Sequence, residues 1–322
     1  MTAYSVQLPF MPTRPEQAVP FAALVQRTGA ARLWAGQARH LEQHQLYAYL
    51  AGLGLRVPAG IAVNVMPLRH PVEAAIQARS VATVTDRPVV AAFGPGATAL
   101  QKGALGAPYP SQLDAVREYV TLVRQLLDGE VLAGGGEHFR YHGGLPAPAA
   151  GAPRVEVGAG VLRPAMGRLA GAVADAAVTL LAPASYLRQR IVPALRAGAD
   201  AADRPMPRLV AIVPVALARA GRDPLAFADS AHLRVPHYRA MLRQAGVPVG
   251  EGSHAELVGA VVAAGAVLYG EPDELGEELG RFAAAGADEV VVSVAGVCQR
   301  QGPQAALDEL DEIFTKVREG LR

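Results

Sequence analysis

The chain of 322 residues has one cysteine, Cys298, so no disulfide forms within it and a cysteine-rich metal site is excluded. Lysine is almost as scarce. Lys102 and Lys316 are the only two among 30 basic residues, an arginine bias more often left by a GC-rich genome than by functional adaptation. Neither sign of charge dominates: the formal net charge is +1, which argues for neither nucleic acid nor an anionic membrane as partner. No apolar run is long enough to span a bilayer. The most apolar, Leu257 to Tyr269, has Glu256 and Glu271 beside it and reads as a buried helix. The segment Met1-Thr-Ala-Tyr-Ser-Val-Gln-Leu-Pro9 lacks the basic and apolar regions of a signal peptide. A cytoplasmic protein is expected. Catalytic signatures are missing as well: there is no G-x-S-x-G, no H-E-x-x-H, no Walker A and no G-x-G-x-x-G after the first strand. A bound cofactor supplying the hard step fits such a chain better than a protein nucleophile.

What is present is a large apolar content, 51%, arranged as short β-branched runs followed by longer helical stretches. That alternation predicts a parallel sheet. Strands are expected at Tyr4–Leu8, Ala31–Ala35, within Arg56–Met66, and at Pro88–Phe93, Arg154–Val157, Ala176–Leu181, Leu209–Leu217 and Asp288–Val294. Helices are expected at Pro15–Thr28, Gln43–Leu53, from Pro71, and at Ser111–Leu127, Pro164–Ala172, from Pro272 to Gly286, and Pro303–Leu321. Eight βα units in one chain of this length predict a single (β/α)8 TIM barrel rather than an open doubly wound sheet. Two insertions interrupt it, near 128–153, with a hairpin around Val131–Tyr141, and near 223–265.

In a closed barrel the chemistry sits on the loops after the strands. After the second strand come Trp34, Gln37, His40 and His44. Trp34 is equally a stacking platform or core. Gln37 can hold a ligand by hydrogen bonds. His40 and His44, spaced i, i+4, would share a face of a helix, but no third metal ligand accompanies them. In the third strand, the small side chains of Ala62 and Asn64 leave space for a flat ring, although an ordinary buried strand explains them as well. Gly94-Pro95-Gly96 follows the fourth strand, leading into a glycine-containing stretch from Ala97 to Gly106. Gly158-Ala159-Gly160-Val161 follows the fifth, beside Arg163. Glycine turns that expose backbone N–H groups near a helix start can cradle a phosphate.

These segments resemble the luciferase-like flavin and deazaflavin oxidoreductases over most of the chain. The resemblance is carried by Gly60-Ile-Ala-Val-Asn-Val-Met-Pro-Leu-Arg-His-Pro71, Pro88-Val-Val-Ala-Ala-Phe-Gly-Pro-Gly96, Gly136-Glu-His-Phe-Arg140, Gly158-Ala-Gly-Val-Leu-Arg-Pro164 and Ala285-Gly-Ala-Asp-Glu-Val-Val-Val292, in that order. It implies a (β/α)8 barrel of the bacterial luciferase-like type with a tricyclic cofactor across its mouth. A non-prolyl cis peptide is implied near Ala62, Val63 and Asn64. The implied cofactor-binding set is Trp34, Ala62, Val63, Asn64, Gly94, Pro95, Gly96, Gly158, Ala159, Gly160, Val161 and Arg163. Many members carry an acid directly after the second strand, whereas this chain has Gly36-Gln37-Ala38, which leaves His40 and Gln37 as the catalytic candidates. The Gly-Pro-Gly loop and the composition lean towards coenzyme F420 over flavin mononucleotide (FMN). The expected activity is hydride transfer to or from an activated C=C, C=N or C=O of a small-molecule or modified-peptide substrate, a dehydroamino acid among them. An FMN monooxygenase and a non-catalytic flavin-binding barrel are the alternatives. A homodimer is expected, with the 223–265 insertion lining either the substrate site or the dimer surface.

Overall fold

The computed structural model describes residues 2–250 and 253–320; Met1, and Leu321 at the expected end of the last helix, lie outside them. Eleven strands are present among the described residues: β1 (Ala3–Gln7), β2 (Leu33–Ala35), β3 (Ala59–Val65), β4 (Val89–Gly94), β5 (Val131–Gly135), β6 (Arg140–Gly144), β7 (Val155–Gly160), β8 (Ala176–Leu180), β9 (Arg208–Leu217), β10 (Leu268–Gly270) and β11 (Glu289–Ser293). Eight of them close into a parallel ring in the order β1-β2-β3-β4-β7-β8-β9-β11, with β11 pairing back to β1. This is the expected (β/α)8 barrel. The strands β5 and β6 form the antiparallel hairpin of the first insertion.

Local chemistry accounts for the element ends. Gly29 stops the first helix in the left-handed conformation (φ 65°), which a glycine adopts without steric cost. Ser111 caps the helix Gln112–Asp128 by accepting a bond from Asp114 N. The carboxylate of Glu118, on that same helix, accepts the backbone N–H groups of Glu137, His138 and Phe139 and so pins the turn of the hairpin.

Several expectations change. The stretch from Ala97 to Gly106 is not an open glycine loop but holds a helix, Thr98–Leu105. Gln101, fully buried, ties that helix down by donating to Gly96 O and accepting from Tyr109 N. A helix over Ala184–Ala201, containing one π turn, follows β8 and had no clear sequence signature. The apolar run Leu257–Tyr269 is not one helix. The helix His254–Ala263 ends before Gly265, and Leu268–Gly270 leaves as β10 to pair with the end of β9. The last helix begins at Ala295, earlier than expected, and breaks at Gly302.

Side chains alternate along each strand, so one set fills the barrel and the other meets the helices. The inner set forms its own cluster of Trp34, Val90, Ala92, Ala176, Val178, Val210, Ile212 and Val291. Below it, at the N-terminal end, five inward side chains (Ser5, Arg32, Glu156, Arg208 and Glu289) form one bonded group that also holds Trp34 of the cluster above. Glu289, fully buried, accepts from Ser5 Oγ (2.6 Å), Trp34 Nε1 (2.7 Å), Arg32 Nε (3.1 Å) and Arg208 Nη2 (2.6 Å), and Arg208 also pairs with Glu156.

Candidate functional site

Carrying the same alternation to the C-terminal ends of the strands gives the inward layer at the mouth: Gln7, Gly36, Ala62 and Val63, Gly94, Gly160, Leu180, Pro214 and Ser293. No member of this layer is titratable. Ala62, Val63 and Leu180 are partly exposed while resting on the buried inner cluster, so the mouth has an apolar floor open to solvent. The peptide Ala62–Val63 is cis, as the resemblance implies, and the β3–β4 register shifts between Ile61 and Asn64.

The glycines have a local cause. A Cβ on Gly160 would lie 2.9 Å from Val63 Cγ1, and one on Gly94 3.4 Å from Val63 Cγ2. The two glycines therefore make room for Val63 to lie across the mouth. Gly96 (φ 72°) turns the chain away from β4 towards the helix Thr98–Leu105. Beyond β8, Leu181 adopts φ 59° and is buried. A left-handed leucine is a costly conformation, and here it reverses the chain so that Leu180 faces the mouth while Leu181 joins the core.

Gly94, Gly96, Gly160, Ala62, Val63 and Arg163 come together at the mouth, with Pro95 between the two glycines after β4. Other expected contacts do not. Trp34 lies inside the barrel, 1% exposed, its indole over Gly60 and its Nε1 bonded to Glu289; it is core and cannot stack on a ligand. Gly158 lies one layer deeper than the mouth, where a Cβ would meet Ala92 Cβ and Ala176 O at 3.0 and 3.1 Å. Ala159 and Val161 are fully buried on the helix-facing side, and Val161 N is spent on Val178 O. Asn64 is 1% exposed; its Oδ1 accepts from Gln43 Nε2 (2.7 Å) and Arg69 Nη1 (2.6 Å) in the layer between β3 and the helices. It anchors the strand next to Val63 instead of facing a ring.

The loop 36–42 crosses the mouth side of β2. Gln37 is half-buried and folds back on the backbone, with Nε2 donating to Ala38 O and Oε1 accepting a long bond from Val65 N. His40 is exposed. Because the helix begins only at Gln43, His40 and His44 do not share a helical face. His44 Nδ1 instead pairs with Glu42, which also contacts Arg69. Burial pushes the Glu42 carboxyl up, but the bonds and charge of His44 and the charge of Arg69 outweigh it and hold it below the usual range. Among the described residues no cluster of three His, Cys, Asp or Glu is arranged to hold a metal, and no helix is long and apolar enough to cross a membrane.

The sequence reading missed Gln7, Leu180, Pro214 and Ser293. Gln7, Leu180 and Ser293 end their strands on the inward side and Pro214 follows Ile212 inward on β9, so counting in twos from a buried residue would have found them. The second insertion borders the mouth. Tyr186 Oη donates to Leu162 O (3.1 Å) and to Gln244 Oε1 (3.2 Å), tying the helix Pro236–Gln244 to the loops after β7 and β8.

Residues 3–289 match the model of the luciferase-like monooxygenases. The chain belongs to that family. Its barrel also superposes on solved structures, at identities that speak to the fold alone. An F420-dependent secondary alcohol dehydrogenase with an F420–acetone adduct aligns at TM-score 0.73 and 17% identity, covering 98% of this chain and 99% of the other. The coenzyme F420-dependent tetrahydromethanopterin reductase of Methanopyrus kandleri aligns at TM-score 0.71 and 16% identity, covering 97% of each chain. A type II Baeyer–Villiger monooxygenase of Pseudomonas putida, in complex with FMN, aligns at TM-score 0.72 and 15% identity, covering 98% and 97%. Comparison with the curated proteins gives no match. This luciferase-like barrel is thus an oxidoreductase.

Proposed function

We propose that this luciferase-like barrel is a coenzyme F420-dependent oxidoreductase that transfers a hydride between the deazaflavin and an activated C=C, C=N or C=O of a small-molecule or modified-peptide substrate. The observation that carries the reading is the mouth layer: an apolar floor without a titratable group, opened by Gly36, Gly94 and Gly160. Such a surface contributes no nucleophile or base, but it seats a flat ring and excludes water around it. The residues fit the cofactor. Ala62, Val63 and Leu180 would lie under the ring, Gln7 and Ser293 would hydrogen-bond its polar edge, and Gly94, Pro95, Gly96 and Arg163 would hold the phosphate-bearing arm. When bound, the deazaflavin supplies or receives the hydride.

The protein's part is alignment. The floor and the insertion helix fix the angle at which a substrate carbon approaches, which replaces a bimolecular encounter by a preset one. His40 is the proton donor of this reading, exchanging with water on the loop 36–42. The Gly-Pro-Gly loop and the arginine-rich composition favour F420 over FMN. A fluorescence titration with each cofactor tests the choice: micromolar F420 binding is expected, and micromolar FMN binding without F420 binding would assign the barrel to FMN-dependent oxygenation. Binding without oxidation of the reduced cofactor by any acceptor would leave a flavin-binding barrel, the reading that the uncharged mouth layer favours second.

A further inference from the structure

Behind the floor of the mouth, polar side chains from three elements meet at one guanidinium. Arg69, on the loop after β3, has a side chain only 8% exposed. Its Nη1 donates to Asn64 Oδ1 (2.6 Å) and its Nη2 to Glu42 Oε1 (3.4 Å). Its backbone is held from behind, where the buried Tyr119 donates from Oη to Arg69 O (3.1 Å). Asn64 follows Val63 directly in β3 and takes a second bond from Gln43 Nε2 (2.7 Å). Glu42 ends the loop 36–42, caps the helix Gln43–Gly52 by accepting from His44 N, and pairs with His44 Nδ1. The two arms of Arg69 thus end on the floor strand and on the loop beside it.

Both parts need an anchor. β3 pairs with β2 as far as Ile61, and with β4 as far as Ile61 and again from Asn64, so Ala62 and Val63 have no ladder partner on either side. The height of Val63 in the mouth is therefore set where pairing resumes, at Asn64. Before Glu42, the side chains of the loop 36–42 make only the two bonds of Gln37, one within the loop and a long one from Val65 N. A network retained for stability alone would also close on itself, as the Glu289 group does. Here Gln43 Oε1 and Asn64 Nδ2 are shut from water without a partner, which costs stability. Groups kept at such a cost are kept for position. We propose that Arg69 is a positioning residue of the mouth: by gripping Asn64 and Glu42 at once, it holds Val63 and the loop 36–42 as one unit around the cofactor. The proposal rests on the reading of the mouth as the cofactor seat, and holds for either F420 or FMN. It requires the guanidinium fork, because a lysine ammonium is a point charge and does not fix two partners at a set angle. A floor free to shift no longer presents one surface to a flat ring, so cofactor affinity falls although no contact residue has changed.

Hydrogen exchange of the cofactor-free full chain, read by mass spectrometry over segments 36–42 and 60–66, tests the coupling. Arg69→Lys should speed exchange about tenfold in both segments together and leave β7 and β8 unchanged. Glu42→Ala cuts the loop arm alone, so exchange should rise in 36–42 and stay slow in 60–66. Glu42→Gln, which keeps an acceptor for Arg69, should keep the loop slow. Asn64→Ala cuts the other arm and should free 60–66 alone. The urea midpoint separates these local effects from a general loss of stability, which would speed exchange throughout the barrel. In fluorescence titrations, F420 should bind Arg69→Lys and Asn64→Ala each about tenfold more weakly, and the double variant no more weakly than either. Exchange in Arg69→Lys that rises in one segment only, or evenly over the barrel, overturns the positioning role. Unchanged F420 affinity in both single variants overturns it too and keeps the cofactor reading. Coupled exchange in a chain that binds neither F420 nor FMN does the reverse: the coupling stands and the cofactor reading falls.

Discussion

The two ends of the barrel interior are built on opposite principles. At the N-terminal end, Ser5, Arg32, Glu156, Arg208 and Glu289 point inward and satisfy one another. At the mouth, the equivalent inward positions are glycine, alanine, valine, leucine, proline, glutamine and serine, without a charge. Charges buried in a barrel are tolerable only as a closed set, because each must recover its lost hydration from a neighbour. A ligand site cannot be such a set and still have unused bonding capacity. The comparison therefore assigns stability to the charged end and function to the uncharged one, as (β/α)8 barrels generally divide them.

The sharpest way to break this division is at Glu289. Glu289→Ala strands Arg32 and Arg208 without their common partner and should cost about 3–5 kcal/mol, read as a shift in the urea midpoint. The cofactor affinity of the folded protein should be unchanged. The same group sets a pH signature. Burial alone would raise the Glu289 carboxyl, yet the charge of Arg32, the bonds from Ser5 and Trp34, and the charge of Arg208 hold it below the usual range. A depressed carboxylate contributes stability that is complete above its unfolded pKa and is lost as the pH falls through the folded one. The stability gap between wild type and Glu289→Gln should then be constant above about pH 5 and close progressively below it. A gap that persists in acid would show that the bonds stabilise without the charge.

The complementary test is at Gly160. Gly160→Val places a side chain where Val63 Cγ1 already lies 2.9 Å from the first added atom. Val63 must move off the floor, so cofactor affinity should fall by about a hundredfold, while stability drops by only about 1–3 kcal/mol from overpacking. Combining it with Val63→Ala should restore part of the affinity, and a coupling energy near zero between the two would mean that the glycine serves something other than room for Val63.

How much of this was readable beforehand follows the same division. The barrel and its strands were legible because a period of two and a βα rhythm are properties of the chain itself. The glycines after β4 and β7 were visible too, but their cause was not: Gly94 and Gly160 answer to Val63 across a gap that only the closed barrel creates. Trp34 was undecided between ligand and core because the choice depends on Gly60 opposite it and on Glu289, 255 residues away. Asn64 was misread for a similar reason, its partners Gln43 and Arg69 lying on other elements. The helix Thr98–Leu105 was hidden by Gly103 and by Gly106 at its end, which weaken the local helical signal.

Smaller effects refine the mouth itself. Gln7→Leu and Ser293→Ala remove its two hydrogen-bonding side chains without touching a charge. Each should lower kcat/KM by about three- to tenfold through weaker alignment, with the melting temperature nearly constant. If both are silent, the polar edge of the bound ring is read by backbone groups alone.

The smallest effect is expected at His40. A positioned general acid commonly contributes a hundredfold or more, because it is held at hydrogen-bond distance from the atom it serves. His40 is exposed on the loop 36–42, and no neighbouring side chain orients it. Water reaches the same place. His40→Gln should therefore slow turnover only about two- to fivefold at pH 7, with rescue by added imidazole buffer. A loss of a hundredfold would mean that bound substrate draws the loop inward and fixes the ring, and the uncharged mouth would then acquire its one titratable group only in the complex.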